Sequence, residues 1–178
     1  MSDAVAFQAA VRASTALHRG WTSAPLTPAR FAAFVRRYAT RDKQPTHAGF
    51  LVIRRGDDAL VGVYNFSEIA RGAFQSAYLG YFAFTPMAGT GLMAEGLAAA
   101  LDIAFRQMKL HRVEVNIQPN NARSLALATR LGFTREGFSR RYVKIGGRWR
   151  DHVRFAMLAE DWRVLRQRLR FAPQTAAR

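Results

Sequence analysis

The run from Tyr78 to Met108 constrains this chain more than any other, because a strand pattern, a glycine turn and a helix pattern follow one another directly. Residues 78–85 are aromatic-rich and free of charge, which predicts a buried strand. Pro86, Gly89 and Gly91 interrupt it. From Leu92 the period changes, and Leu97, Leu101, Ala104, Phe105 and Met108 fall on one helical face. Glu95, Asp102 and Arg106 lie off that stripe, with Asp102 in i,i+4 reach of Arg106. A strand that feeds a helix through a glycine turn leaves unpaired N–H groups at the positive end of the helix dipole. Such a terminus suits a phosphate or pyrophosphate.

Gly89-Thr90-Gly91 is equally what a purely steric turn requires, and two nucleotide motifs are absent. Gly89, Gly91 and Gly96 are misspaced for G-x-G-x-x-G, and no Gly-Lys-Ser/Thr marks a Walker loop. Charge points to an anionic partner: 27 Lys+Arg stand against 12 Asp+Glu, a net +15. Such a field attracts nucleic acid, acidic protein surfaces and polyanionic cofactors. Lysine occurs only at Lys43, Lys109 and Lys144, so an arginine-biased coding sequence accounts for the excess equally well. The absence of cysteine removes disulfides, thiolate zinc sites and a cysteine nucleophile together. The four histidines form no metal-ligand pair at helical spacing. No apolar run approaches the roughly 18 residues of a membrane span, and no signal-peptide pattern opens the chain. A metal-free cytoplasmic protein is the expectation.

The remaining elements follow in order. Helices are predicted over 4–16, with Asp3 near its positive end, and over 28–38, where Thr27 is an N-cap and Pro28 sits at N1. A loop over His18 to Pro25, around Trp21, separates them, and a polar connector runs over 39–45. Strands over 47–55 and 59–66 form a hairpin across Gly56-Asp57-Asp58. A strand over 112–117 leads to a helix closed by Gly132 as its C-terminal glycine. A second hairpin, 133–144 with 148–158, turns at Gly146-Gly147, and a short helix covers 161–169. One domain over 1–170 with a tail at 171–178 is expected.

Five groups of residues carry a resemblance: Gly89-x-Gly91-Leu92-Met93; His111-Arg112-Val113-Glu114; Pro119-x-Asn121-x-x-Ser124; Leu131-Gly132-Phe133-x-x-Glu136-Gly137; and Gly147-x-Trp149-x-Asp151-His152. In this order, over about half the chain, they resemble the GNAT acetyltransferase superfamily and its ribosomal-protein N-terminal acetyltransferase branch. The resemblance implies an α/β (α+β) fold with a mixed, mostly antiparallel central sheet and helices on both faces. It also implies a V-shaped splay between the strands 78–84 and 111–117. The family opens with a strand before its first helix, whereas this sequence begins at about that helix: either the sheet lacks its first edge strand or the true start lies upstream, and an unprotected edge would be a natural place for a homodimer contact.

The resemblance further implies acetyl-CoA as cosubstrate. Its pyrophosphate would rest on Ala88, Gly89, Thr90, Gly91, Leu92 and Met93. The family motif Gln/Arg-x-x-Gly-x-Gly/Ala falls on Ala88, Gly91 and Met93, of which Gly91 matches. Backbone groups of Phe82, Ala83 and Phe84 would face the pantetheine and the thioester oxygen, and Asn121 would reach the arm from the other side as well as serve as an N-cap. The tyrosine that many members place before the Gly-Phe pair is here Ala128. Ser124 is then the candidate proton donor, or else a helix serine bonded back to the preceding turn. Glu68 is the candidate base, or else a solvated loop carboxylate. His111 and His152 read as structural, and Trp149 with Asp151 as a buried indole beside a hydrogen-bonding carboxylate. The leading function is direct acetyl transfer to the N-terminal α-amine of a protein, plausibly ribosomal, in a ternary complex. The alternatives are a small-amine (polyamine or antibiotic) acetyltransferase, which the net positive charge disfavours, and a non-catalytic ribosome- or nucleic-acid-associated protein, with ribosome or rRNA association through the basic surface, although the arginines are spread along the chain and not gathered with aromatics on one face.

Overall fold

The computed structural model describes residues 2–39, 42 and 44–169; the expected tail at 171–178 lies outside the described residues. Three helices come first: α1 (Ser2–Ala13), α2 (Thr15–His18) and α3 (Pro28–Tyr38). A sheet then assembles from β1 (Ala48–Ile53), β2 (Leu60–Ala70), β3 (Ser76–Ala83), β4 (Arg112–Ile117), β5 (Thr134–Ile145) and β6 (Arg148–Leu158). Helix α4 (Leu92–Asp102) joins β3 to β4, α5 (Ala122–Arg130) joins β4 to β5, and α6 (Ala159–Leu169) follows β6. The strand order is β1-β2-β3-β4-β6-β5. All pairs are antiparallel except β3 with β4, whose parallel alignment requires the crossover through α4.

Strand alternation divides the core into two layers. In β4, Val113, Val115 and Ile117 are buried while Arg112, Glu114 and Asn116 point to the other face. The first set packs with Leu97, Leu101, Ala104 and Phe105 of the crossover and with Ala128 of α5. Burial of each large aliphatic side chain contributes about 1.5–3 kcal/mol. On the opposite face, Phe7 and Val11 of α1 meet Val63, Phe82 and Phe84, with Phe31 and Phe34 of α3 over them. Helices thus cover both faces, as the motifs implied.

Local chemistry accounts for the departures from the predicted elements. The helix expected over 4–16 divides at Ser14, whose hydroxyl bonds the Ala10 carbonyl at 2.7 Å and accepts the Thr85 N–H at 2.9 Å. The crossover helix widens after Asp102: Met108 N–H reaches back to Ile103 O at 2.9 Å, a π-type turn over residues 103–107 where the chain leaves for β4. Asp102 does accept from Arg106 at 3.0 Å, and it also holds Arg166 and the Trp162 indole of α6. Strand β2 runs on to Ala70 through an irregular step, with Glu68 at φ +49°. His111 lies 3.6 Å from Glu160, while His152 is buried with Nδ1 3.0 Å from Arg150 O. Trp149 is 60% exposed, contrary to the buried indole expected. The reason is topological: β4 ends where Ile117 faces Val153, so residues 148–152 of β6 extend beyond the layered sheet. Asp151 behaves as expected, accepting the Arg141 N–H at 2.7 Å. No helix among the described residues is long and apolar enough to cross a membrane.

Helix α4 lies unusually close to the sheet. A Cβ on Gly96 would come within 2.8 Å of Val52 and 3.1 Å of Tyr64, so only glycine permits this spacing. The fully buried Tyr64 donates its hydroxyl to Met93 O at 2.5 Å, and burial holds its phenol protonated well above the usual range. Tyr64→Phe removes the hydrogen bond that, among the described residues, ties β2 to the first turn of α4. Its expected cost is about 1 kcal/mol, read by chemical denaturation; unchanged stability would show that packing alone seats the helix.

Candidate functional site

The site begins where a ladder ends. Strands β3 and β4 pair only at Ser76↔Arg112, Ala77↔Val113 and Tyr78↔Glu114, and then part. The splay expected between 78–84 and 111–117 is therefore present. Which backbone groups face it follows from the antiparallel register on the other side. Phe84 N–H donates to Val61 O at 2.8 Å, so the even residues Phe82 and Phe84 turn their backbone toward β2. The odd residues Tyr81 and Ala83 turn theirs outward, into the gap. Of the three residues expected to present backbone there, Ala83 does so, whereas Phe82 and Phe84 are committed to the β2 ladder.

One wall of the gap is the segment after α1. His18, at the end of α2, is 94% buried by its 6% exposure, and its Nε2 lies 2.7 Å from Ala83 O. A carbonyl only accepts, so Nε2 is the donor, and in the neutral ring Nδ1 is then an acceptor. That Nδ1 is buried and has no partner among the described residues. Ser14 fastens the same segment to Thr85, and Gln118 Nε2 donates to Gly20 O at 2.8 Å across the end of β4. The loop containing Trp21 and Thr22 is thereby held across the mouth of the splay.

The floor is the glycine turn. Gly89 and Gly91 adopt φ +86° and +92°, and a Cβ on either would meet open space, so conformation and not crowding demands glycine at Gly91. The N–H groups of Gly89, Gly91, Leu92 and Met93 make no hydrogen bond among the described residues, whereas Ala94 and Glu95 bond back to Gly91 O. Four unengaged donors at the positive end of an eleven-residue helix form an anion cradle.

Helix α5 forms the second wall. Asn121 Oδ1 caps it by accepting the Ser124 N–H at 3.2 Å. The Ser124 hydroxyl makes no hydrogen bond among the described residues, so the back-bonded alternative is not what the structure shows. Although Ala128 is buried and offers no phenol, one arrives from β3: Tyr81 donates to Ser124 O at 3.4 Å, and burial raises its pKa to about 12. Arg123 and Arg130 add positive charge. Together these elements enclose a cleft of about 700 Å³ lined by His18, Tyr81, Ala83, Gly91, Asn121 and Ser124, among others. Among the described residues no carboxylate lines it.

The structure brings together Phe82, Ala83, Ala88, Gly89, Gly91, Met93, Asn121 and Ser124. Thr90 and Leu92 belong to the turn without lining the cleft; Thr90 Oγ1 donates to Met87 O at 2.7 Å. Phe84 is buried against Phe7 and His18. Glu68 is not brought to the cleft. It lies beyond Ser67↔Tyr78, about 17 Å of strand from Ala83, is exposed, and sits beside Arg37 and His47. His18, Tyr81, Arg123 and Arg130 are lining groups that motif reading missed. Only the aromatic alternation of β3 hinted at Tyr81, and no local pattern marked His18.

Residues 1–134 match the family model described as Acetyltransferase (GNAT) domain. Over 103 residues the chain is 45% identical to the ribosomal protein uS5-alanine N-acetyltransferase of Escherichia coli, covering 58% of this chain and 53% of the relative. The chain thus spans about half the length of that relative. It is 36% identical over 127 residues to the probable N-acetyltransferase YjcK of Bacillus subtilis, covering 71% and 70% of the two chains. Among solved structures, the ribosomal-protein-S5-alanine acetyltransferase of Vibrio fischeri matches with a TM-score of 0.79 at 25% identity, over 90% of each chain. Mycobacterium smegmatis RimJ in complex with CoA-disulfide matches with a TM-score of 0.80 at 26% identity, over 90% of this chain and 79% of the other.

Gly91→Val forces a branched residue into a left-handed backbone and displaces the turn's free N–H groups. Coenzyme A binding is expected to weaken at least tenfold, about 1.4 kcal/mol, by calorimetry. Unchanged affinity in a folded variant would remove the turn from the site.

Proposed function

Because the chain belongs to the GNAT acetyltransferase family, we propose that it transfers the acetyl group of acetyl-CoA directly to the N-terminal α-amine of a protein within a ternary complex. The observation that carries this reading is the meeting, in one cleft, of an anion cradle and a strand edge without a strand partner. The 45% identity to an enzyme named for ribosomal protein uS5 supports a ribosomal acceptor.

The cleft suits acetyl-CoA. The N–H groups of Gly89, Gly91, Leu92 and Met93 would hold the pyrophosphate, with Arg123 and Arg130 supplying countercharge. The pantetheine arm would extend along the outward backbone of Tyr81, with Asn121 opposite. His18 already occupies the Ala83 carbonyl, which leaves the Ala83 N–H to donate to the oxyanion that forms at the thioester carbon.

In the reaction the amine nitrogen attacks the thioester carbon, a C–N bond forms, the C–S bond breaks, and the nitrogen gives up one proton. An α-amine has a pKa near 8, so about a tenth is already neutral at pH 7. A weak base suffices, and with Glu68 distant, His18 Nδ1 takes that role. The departing thiolate, with a conjugate pKa near 8.5, takes a proton from the Ser124 hydroxyl, from the Tyr81 phenol or from water.

Incubation with acetyl-CoA and a peptide bearing the alanine N-terminus of uS5 should add one acetyl group by intact mass, and none when the α-amine is blocked. Acetylation of spermidine in place of the peptide would overturn the reading. His18→Gln keeps a donor for Ala83 O but offers no titratable base. It should lower kcat by roughly ten- to a hundredfold with little change in KM for acetyl-CoA. Ser124→Ala should do the same toward the lower end of that range. Wild-type turnover in either variant would leave that residue a structural role only.

A further inference from the structure

Away from the cleft, the β5–β6 hairpin ends in a dense basic tip. Residues 138–150 contain Arg140, Arg141, Lys144, Arg148 and Arg150 and no carboxylate. None of the five makes an ion pair among the described residues. Arg37, Arg54, Arg106, Arg112 and Arg166, by contrast, each lie within 4 Å of a carboxylate. The nearest acid in sequence, Asp151, accepts the Arg141 N–H. The tip therefore carries charge without an ion-pair partner among the described residues on a two-stranded ribbon, turned by Gly146 and Gly147 at φ +58° and +79°.

The same tip exposes large apolar groups. Trp149 is 60% exposed and Phe138 48%. Lys144 stands directly across from Trp149, so an ammonium and an indole share one face. Arg148 pairs with Ile145 and Arg150 with Val143, which places these two arginines on the other face. Lys144 beside the exposed indole, with Arg148 and Arg150 on the reverse face of the same narrow ribbon, offers what an unpaired nucleotide strand uses, phosphate neutralisation and base stacking. An acidic protein surface would use the charges but gives the indole no comparable partner. The guanidinium fork, moreover, fits phosphate oxygens in pairs.

We propose that the hairpin tip, residues 138–150, binds single-stranded RNA wrapped around its end, with Trp149 stacking on a base and Lys144 contacting a phosphate on one face while Arg148 and Arg150 contact phosphates on the other. This goes beyond the catalytic reading and does not rest on it.

The probe is a fluorescein-labelled oligo(U) of roughly 16 nucleotides, titrated by anisotropy over a series of salt concentrations. The triple variant Lys144→Ala/Arg148→Ala/Arg150→Ala should weaken binding at least tenfold and flatten the log K against log salt slope by about 2, since each single-strand phosphate contact contributes about 0.7. Trp149→Ala should weaken binding by about tenfold with the slope unchanged. The triple variant Arg12→Ala/Arg30→Ala/Arg36→Ala removes equal charge from exposed positions on α1 and α3 and should cost much less. Equal losses in the two triple variants would overturn the proposal in favour of a diffuse field. Displacement of the probe by polyglutamate as readily as by unlabelled oligo(U) would overturn it in favour of an acidic protein partner.

Discussion

Everything at the cleft depends on the early end of one parallel ladder. Strands β3 and β4 stay paired for three residues and then diverge, and an unpaired strand edge inside a protein needs other hydrogen-bond partners. The protein meets that need in part with His18, which satisfies the Ala83 carbonyl from 65 residues away in sequence. The outward N–H groups of Tyr81 and Ala83 have no strand partner among the described residues. Because β3 and β4 run parallel, their connection must cross one face, and that crossover sets the N-terminus of α4 beside the same opening. Splay and anion cradle are thus two results of one topological choice.

Close contacts hold the geometry. Gly96 lets α4 settle against Val52 and Tyr64, Tyr64 ties its first turn to β2, and Asp102 ties its last turn to α6. On the other side Ser14, His18 and Gln118 fasten the helical segment and its loop over the strand ends. The cleft lies between two anchored walls. Its charge is one-sided, with Arg123 and Arg130 present and no carboxylate in the lining among the described residues, a field that favours an anion.

What could be read from residues alone was local. The turn at Gly89–Gly91, the amphipathic stripe of α4, the Asn121 cap and the Gly146–Gly147 hairpin each depend on neighbours within a few positions, and each is found where the pattern put it. The misses are long-range. His18 looked like a loop residue because its partner is on β3. The phenol looked absent because Ala128 occupies the expected position, while Tyr81 supplies one from another element. Trp149 looked buried because its motif says nothing about where β4 stops. Glu68 was a reasonable base on chemistry alone, and only the strand register places it far from the cleft.

Amide hydrogen exchange with and without coenzyme A tests the central claim most directly, since that claim concerns which backbone N–H groups are free. Added coenzyme A should slow exchange in peptides covering 81–93, including the amides of Ala83, Gly89, Gly91, Leu92 and Met93, and around Asn121. Protection confined to other segments, with 81–93 exchanging as in the free protein, would contradict the assignment of the splay and its glycine turn as the acetyl-CoA site.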